Sequence, residues 1–193
     1  MNAATPAPRR EESAEQRWNR FSVLKTGEDY LASLRNRGTR LFLFGELIDE
    51  PADHPIIKPS INALRASYDL AIEDPELATA WSPLIDAQVN RFLHIVESPA
   101  DLVKKNKMQR RMGQITGTCF QRCTGLDTIS VLHSITYEID EKHGTQYHHR
   151  FLDFLGEAQR KNILIAAGMT DPKGDRSKRP AQQSDPDMFM RVT

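Results

Sequence analysis

The sequence predicts a mainly α-helical domain from Thr26 to about residue 162. Three observations carry that prediction. Helix-start signals recur: Thr26 with Asp29 three residues on, Asp74 followed by Pro75, and Ser98-Pro99 followed by Asp101. Each places a side-chain acceptor or a proline where the first turn leaves backbone N–H groups without partners. Apolar residues then repeat at helical spacing, as in Ile61, Leu64, Tyr68 and Ile72. The connections between such stretches are short, as in a helical domain.

Composition narrows the class. The chain has 193 residues, 39% of them hydrophobic, with 26 Lys+Arg against 26 Asp+Glu. That supports one globular core. The charge balance argues against a protein that binds nucleic acid through bulk charge. No run reaches the roughly 18 apolar residues of a spanning helix. The N-terminus lacks the apolar stretch of a signal peptide, and with two unpaired cysteines this points to the cytoplasm.

Residues 1–25 read as a flexible tail, since Pro6, Pro8 and the mixed charges that follow leave little to bury, although Trp18 and Phe21 can dock locally. A helix starts at Thr26 and carries Tyr30, Leu31 and Leu34, with Gly38 placed to end it. Arg40 to Ile48, two short apolar runs around Gly45, read as a hairpin. Pro55 and Pro59 break the chain before a helix that Ser60 caps. Val89 to Val96 fits strand or helix. From Ser98 a long polar helix carries Lys104, Lys105, Lys107, Arg110 and Arg111 towards the cysteines; this basic run reads as a solvated face, with attraction of an anionic thioester as its second use. Gly125 is placed to loosen or end that helix and Asp127 to cap the next, lined by Ile129, Leu132, Ile135, Tyr137 and Ile139 and stopped at Gly144. Thr145 caps a last helix with Phe151, Phe154, Leu155 and Ala158 apolar. Residues 163–193 change character: a β-branched run, a charged turn, a loop, and a terminal stretch from Met188 that reads as a strand wanting partners.

The cysteines, Cys119 and Cys123, are four residues apart in a segment that reads as helical. That spacing puts two thiols on one helix face, as two corners of one metal centre. Taken alone the pair reads as core packing, because free cysteine behaves as a small buried hydrophobe. The turn Met169-Thr170-Asp171-Pro172-Lys173-Gly174-Asp175-Arg176 offers backbone N–H groups beside two cations, as phosphate-binding loops do; alone it is a surface turn. His133 reads as a core histidine, His148 and His149 as partly exposed in a first helical turn, and His143 as a cation at a helix C-terminus. There is no glycine-rich phosphate loop of the Walker or dinucleotide type, no G-x-S-x-G and no H-E-x-x-H.

Taken together and in order, the motifs resemble a known family. Phe44-Gly-Glu46, Asp53-His-Pro55, Lys58-Pro-Ser-Ile-Asn62, Lys107-Met-Gln-Arg110, Cys119-Phe-Gln-Arg-Cys123, Thr136-Tyr-Glu-Ile-Asp140, the Met169–Arg176 turn and Asp185-Pro-Asp187 are similar to those of the 4-hydroxybutyryl-CoA dehydratase/vinylacetyl-CoA Δ-isomerases. These lie in the wider 4-hydroxyphenylacetate 3-hydroxylase superfamily, whose flavin monooxygenases lack the cysteine pair.

The resemblance implies an acyl-CoA dehydrogenase-like fold. Residues 26–162 would be its N-terminal helical domain and residues 163–193 the start of a flavin-binding β domain. It implies FAD, a [4Fe–4S] cluster with three cysteine ligands and one histidine, a CoA-thioester substrate and a homotetramer. Cys119 and Cys123 would be two of the ligands, and Met169, Thr170, Asp171, Pro172, Lys173, Gly174, Asp175 and Arg176 would contact FAD. The implied reaction is a radical dehydration to crotonyl-CoA, with the catalytic base and remaining ligands outside this sequence. The chain alone is then expected to be inactive and to expose apolar helix faces. Two other readings stand: a flavin monooxygenase-like domain in which the cysteines only pack, and a non-catalytic helical binding domain.

Overall fold

A computed structural model describes residues 13–167, apart from 20, 36, 38 and 39, together with residues 175, 177–179 and 182. The elements are α1 (Ala14–Asn19), α2 (Gly27–Leu34), β1 (Leu41–Leu43), β2 (Glu46–Ile48), α3 (Lys58–Glu73), α4 (Pro75–Ala78), β3 (Thr79–Ser82), β4 (Ala87–Asn90), a 3-10 turn (Arg91–Leu93), α5 (Pro99–Thr116), α6 (Arg122–His143) and α7 (Tyr147–Lys161). The domain is mainly helical, as the periodicity predicts. β1–β2 and β3–β4 are separate antiparallel hairpins.

Local chemistry sets most boundaries. Thr26 Oγ1 accepts from Asp29 N at 3.0 Å while Asp29 Oδ2 accepts from Thr26 N at 2.9 Å, a reciprocal cap at the start of α2. Asp74 Oδ1 accepts from Leu77 N and Ser98 Oγ from Asp101 N, each at 3.1 Å, so α4 and α5 open as their sequences predict. Gly144 ends α6 at φ 64. Val89–Val96 resolves into the end of β4 and the 3-10 turn. Within the stretch expected as a tail, α1 sets Trp18 5.9 Å from both Phe21 and Phe154.

Three expectations change. α3 starts at Lys58, with Pro59 in its first turn and no side-chain cap, so Ser60 caps nothing; proline costs little where the N–H has no helical partner. Its buried face is Ile61, Ala63, Ser67, Tyr68 and Leu70, leaving Ile72 exposed. α7 is capped not by Thr145 but from α6: Asp140 accepts from Thr145 Oγ1 at 2.5 Å, Tyr147 N at 2.9 Å and His148 N at 2.8 Å. α2 closes at Leu34; Gly38 and the expected terminal strand lie outside the described residues.

The main core lies where α3, α5, α6 and α7 meet around Leu70, Phe92, Met108, Met112, Leu126, Ile129, Phe151 and Leu155. α5 is polar over most of its length and buries Met108 and Met112, four residues apart on one face. A second cluster, Leu24, Tyr30, Ala52, Ile61 and Tyr68, joins α2 to α3. Tyr30 and Tyr68 stack at 5.3 Å, and burial pushes the Tyr30 phenol up to about 12. Beyond Ile129, α6 leaves Val131, Leu132, Ile135 and Ile139 exposed, an apolar face without a partner among the described residues. No helix among the described residues is long and apolar enough to cross a membrane.

Gln159 stitches the small elements to the bundle. Its amide donates to the Leu93 carbonyl and its carbonyl accepts from Ser82 Oγ, both at 2.8 Å and both buried. Replacing it leaves two buried polar groups without partners. Gln159→Ala is expected to lower unfolding stability by about 2 kcal/mol, read as a lower urea midpoint with an unchanged slope.

Candidate functional site

The two cysteines sit at the corner between α5 and α6. Gly117, at φ 60, closes α5 through its N–H to the Gly113 carbonyl at 2.9 Å. Phe120 turns inward and meets Phe92 edge-on at 5.7 Å. Gln121 takes a left-handed conformation, φ 60, and α6 begins at Arg122. Cys119 is therefore in the connector and exposed, whereas Cys123 is in the first turn of α6 and half-buried against the main core. The expectation of one helix carrying both thiols on one face is wrong. The chain reverses between them, because Gly117 rather than Gly125 ends α5.

Gly125 has a different use. A β-carbon built there would lie 1.9 Å from the Ile165 carbonyl oxygen. Residues 163–167, the segment leaving α7, run across the first turn of α6 through that gap. Ala167 N lies 3.4 Å from Thr124 Oγ1 on the same turn. The structure thus brings the cysteine corner beside the segment that leads to the 169–176 turn. Of that turn, Met169, Thr170, Asp171, Pro172, Lys173, Gly174 and Arg176 lie outside the described residues. Asp175 is exposed and accepts from Ser177 N at 3.0 Å and Ser177 Oγ at 2.6 Å, which holds its carboxyl below the ordinary range.

Between the cysteines, Arg122 points into the core and is 1% exposed. Its guanidinium carbon lies 4.6 Å over the Tyr68 ring and 5.2 Å over the Phe92 ring. Nη1 donates to Ser67 Oγ at 2.9 Å; Nη2 donates to Asn162 Oδ1 and the Ile163 carbonyl, both at 3.4 Å. Nε has no hydrogen-bond partner, and burial pushes the group's pKa down. A buried cation costs several kcal/mol, and contacts with desolvated aromatic faces return about 2 kcal/mol each. Sequence reasoning missed this residue, since arginine in a polar stretch is ordinarily exposed. The one signal is its place between Cys119 and Cys123, two residues after Phe120.

A second concavity of about 810 Å³ lies elsewhere, between Trp81, Pro83, Arg91, His94, Glu97, Asp101 and Lys104. Arg91 Nε donates to the Leu77 carbonyl at 2.7 Å and Nη2 to the Thr79 carbonyl, so this buried arginine anchors the β3–β4 hairpin. The lining of this concavity mixes both charge signs and includes Lys104 of the basic run, but not Cys119, Cys123 or Asp175. His94 is 5% exposed and burial pushes its pKa down, with Asp101 at 3.8 Å opposing. His133 is half-buried on α6 and stacks edge-on against His148 at 5.0 Å; burial and then His148 push its pKa down. His148 Nδ1 pairs with Thr136 Oγ1 at 3.0 Å. Among the described residues no three His, Cys, Asp or Glu side chains are grouped to hold a metal ion.

With this geometry in place, comparison with known proteins is decisive. The family model for the 4-hydroxyphenylacetate 3-hydroxylase N-terminal region matches residues 26–193. The chain belongs to this family. Within the family, it is 47% identical over 173 residues to a 4-hydroxybutyryl-CoA dehydratase/vinylacetyl-CoA-Δ-isomerase of Clostridium aminobutyricum, covering 88% of this chain and 35% of that protein. It superposes on an oxygen-tolerant archaeal 4-hydroxybutyryl-CoA dehydratase from N. maritimus with TM-score 0.77 and 59% identity, covering 86% of this chain and 33% of that one. The FAD complex of an HpaB oxygenase component of 4-hydroxyphenylacetate 3-monooxygenase shares the fold at TM-score 0.60 and 18% identity, over 84% of this chain and 34% of that one. The chain spans about a third of the length of these relatives. The resemblance carried by the ordered motifs is borne out.

Two outcomes follow for this family member. Gly125→Ala is expected to cost about 2 kcal/mol although alanine favours helix by about 1 kcal/mol, and to raise proteolytic cleavage after Lys161. Burial holds the pKa values of His94 and His133 below the ordinary 6.5, so the unfolded chain binds protons more readily, and stability is full above 6.5 and falls as pH drops through it. The urea midpoint should be lower at about pH 5.5 than at pH 7.5, and His94→Gln with His133→Gln should flatten that slope.

Proposed function

We propose that this chain supplies part of the catalytic site of a 4-hydroxybutyryl-CoA dehydratase/vinylacetyl-CoA Δ-isomerase. The observation that carries the reading is the cysteine pair, placed between α5 and α6 beside the segment that leads to the 169–176 turn. It is supported by the level of identity to dehydratases over nearly the whole chain.

In this reading Cys119 and Cys123 are thiolate ligands of a [4Fe–4S] cluster. The donor chemistry fits, since soft thiolates are what such clusters take, and the two residues supply half of the four ligands usually needed. The exposure of Cys119 suits a group shared with a part of the protein beyond this domain. Residues 163–193 begin the flavin-binding β domain of an acyl-CoA dehydrogenase-like fold, and Met169–Arg176 contact FAD through backbone N–H groups and the Lys173 and Arg176 cations. The flavin and the cluster, when bound, supply one-electron and Lewis-acid chemistry, which abstraction of an unactivated β hydrogen requires and acid–base groups alone do not provide. This chain's own contribution is positional. The corner orients two thiolates, the apolar core behind Cys123 keeps water from that side, and the exit segment fixes the spacing to the turn. The complete site lies in a cytoplasmic homotetramer that converts 4-hydroxybutyryl-CoA to crotonyl-CoA.

The test uses the assembly in which the chain occurs in its host, purified without oxygen. Iron and acid-labile sulfide are expected to co-purify. Cys119→Ser and Cys123→Ser should each remove most of the iron and abolish crotonyl-CoA formation. Unchanged iron in both variants would overturn the reading in favour of a flavin monooxygenase-like domain with packing cysteines.

A further inference from the structure

Arg122 is the one buried residue that touches every piece of the site's framework. Through Ser67 and Tyr68 it reaches α3, through Phe92 the 3-10 turn, and through Asn162 and the Ile163 carbonyl the exit segment. Its own backbone opens α6 immediately before Cys123. Among the described residues no carboxylate forms an ion pair with it. Charge neutralisation by a described carboxylate is therefore not what keeps an arginine here. An apolar side chain of similar volume would fill the space without removing a cation from water. What it lacks is a planar set of donors able to meet Ser67 Oγ on one side and Asn162 and Ile163 on the other. Lysine lacks that too, since its single ammonium is a point donor on a flexible stem.

We propose that Arg122 is a positioning residue. Its guanidinium locks the first turn of α6, and with it Cys123, to residues 162–167, so that the cysteine corner and the segment leading to the 169–176 turn move as one body. The consequence for chemistry rests on the reading of Cys119 and Cys123 as ligands; the locking itself does not. Two other contacts already cross the same seam, the Ile165 carbonyl over Gly125 and Ala167 N at Thr124, but neither holds the segment's near end. Arg122 does so at residues 162 and 163, where the chain leaves α7.

Backbone hydrogen exchange of the full chain tests this directly. In Arg122→Met, residues 119–125 and 162–167 are expected to exchange together at least tenfold faster, while the centres of α3 and α5 keep their protection. Arg122→Lys should resemble Arg122→Met. Ser67→Ala leaves the arginine in place and removes its nearest acceptor; it should loosen the same two segments and serves if Arg122→Met does not fold. Wild-type protection of both segments, or an even loss across the chain, would overturn the proposal. So would full rescue by Arg122→Lys. A cadmium titration read by thiolate-to-metal absorbance separates the two ideas. Arg122→Met should bind cadmium at least tenfold more weakly than the wild type, a loss that lower stability alone does not produce. If the wild-type chain takes up no cadmium through both thiols, the ligand reading fails, and the exchange result still decides Arg122.

Discussion

A carbonyl oxygen occupies the space where residue 125 would carry a β-carbon. The path of the chain around the site depends on that one contact. Glycine inside a helix costs about 1 kcal/mol relative to alanine, and here it lets the segment after α7 lie directly on the backbone of α6. The approach is too close for any side chain. It places Ile165 against the main core and sets Ala167 beside Thr124, one residue from Cys123. Without it the exit segment would ride higher on α6, and the two stretches that the sequence marks for chemistry would separate.

Much of the fold was legible because it is local. Thr26 with Asp29, Asp74 with Pro75, and Ser98 with Pro99 each announce a helix through a hydrogen bond within three residues, and each forms. Gly144 announces a stop and supplies one. The corner was misread because two glycines eight residues apart, Gly117 and Gly125, look alike in sequence. One adopts a left-handed conformation that ends a helix; the other makes room for a distant backbone. Only the partner forty residues away distinguishes them. Asp140 capping α7 from the preceding helix, and Arg122 buried among aromatic rings, are likewise long-range facts. The family was legible from the order of short motifs and from no one of them alone.

The polar interior has a consistent pattern. Gln159, Asn90, Arg91 and Arg122 are all buried, and each hydrogen-bonds to another element. Asn90 Nδ2 donates to the Ser67 carbonyl at 3.1 Å, next to the hydroxyl that Arg122 uses. Two short hairpins cannot bury much surface. Directional bonds from side chains add to apolar packing in holding the β3–β4 hairpin and the 3-10 turn in place. The exposed apolar face of α6 is the complement: a long regular element with surface to spare, in a chain that spans about a third of the length of its relatives.

Leu24 and the end of α7 are clasped together. Leu24 N donates to the Lys161 carbonyl at 3.0 Å, and Asn162 Nδ2 donates to the Leu24 carbonyl at 2.7 Å across a separation of 138 residues. The polypeptide therefore arrives and departs at one place. Bringing ends that far apart together costs an ordering entropy of roughly 4 kcal/mol before any contact forms. The clasp ties the stretch before α2 to the end of α7. Asn162 also takes the hydrogen bond from Arg122, so one side chain serves both the clasp and the first turn of α6.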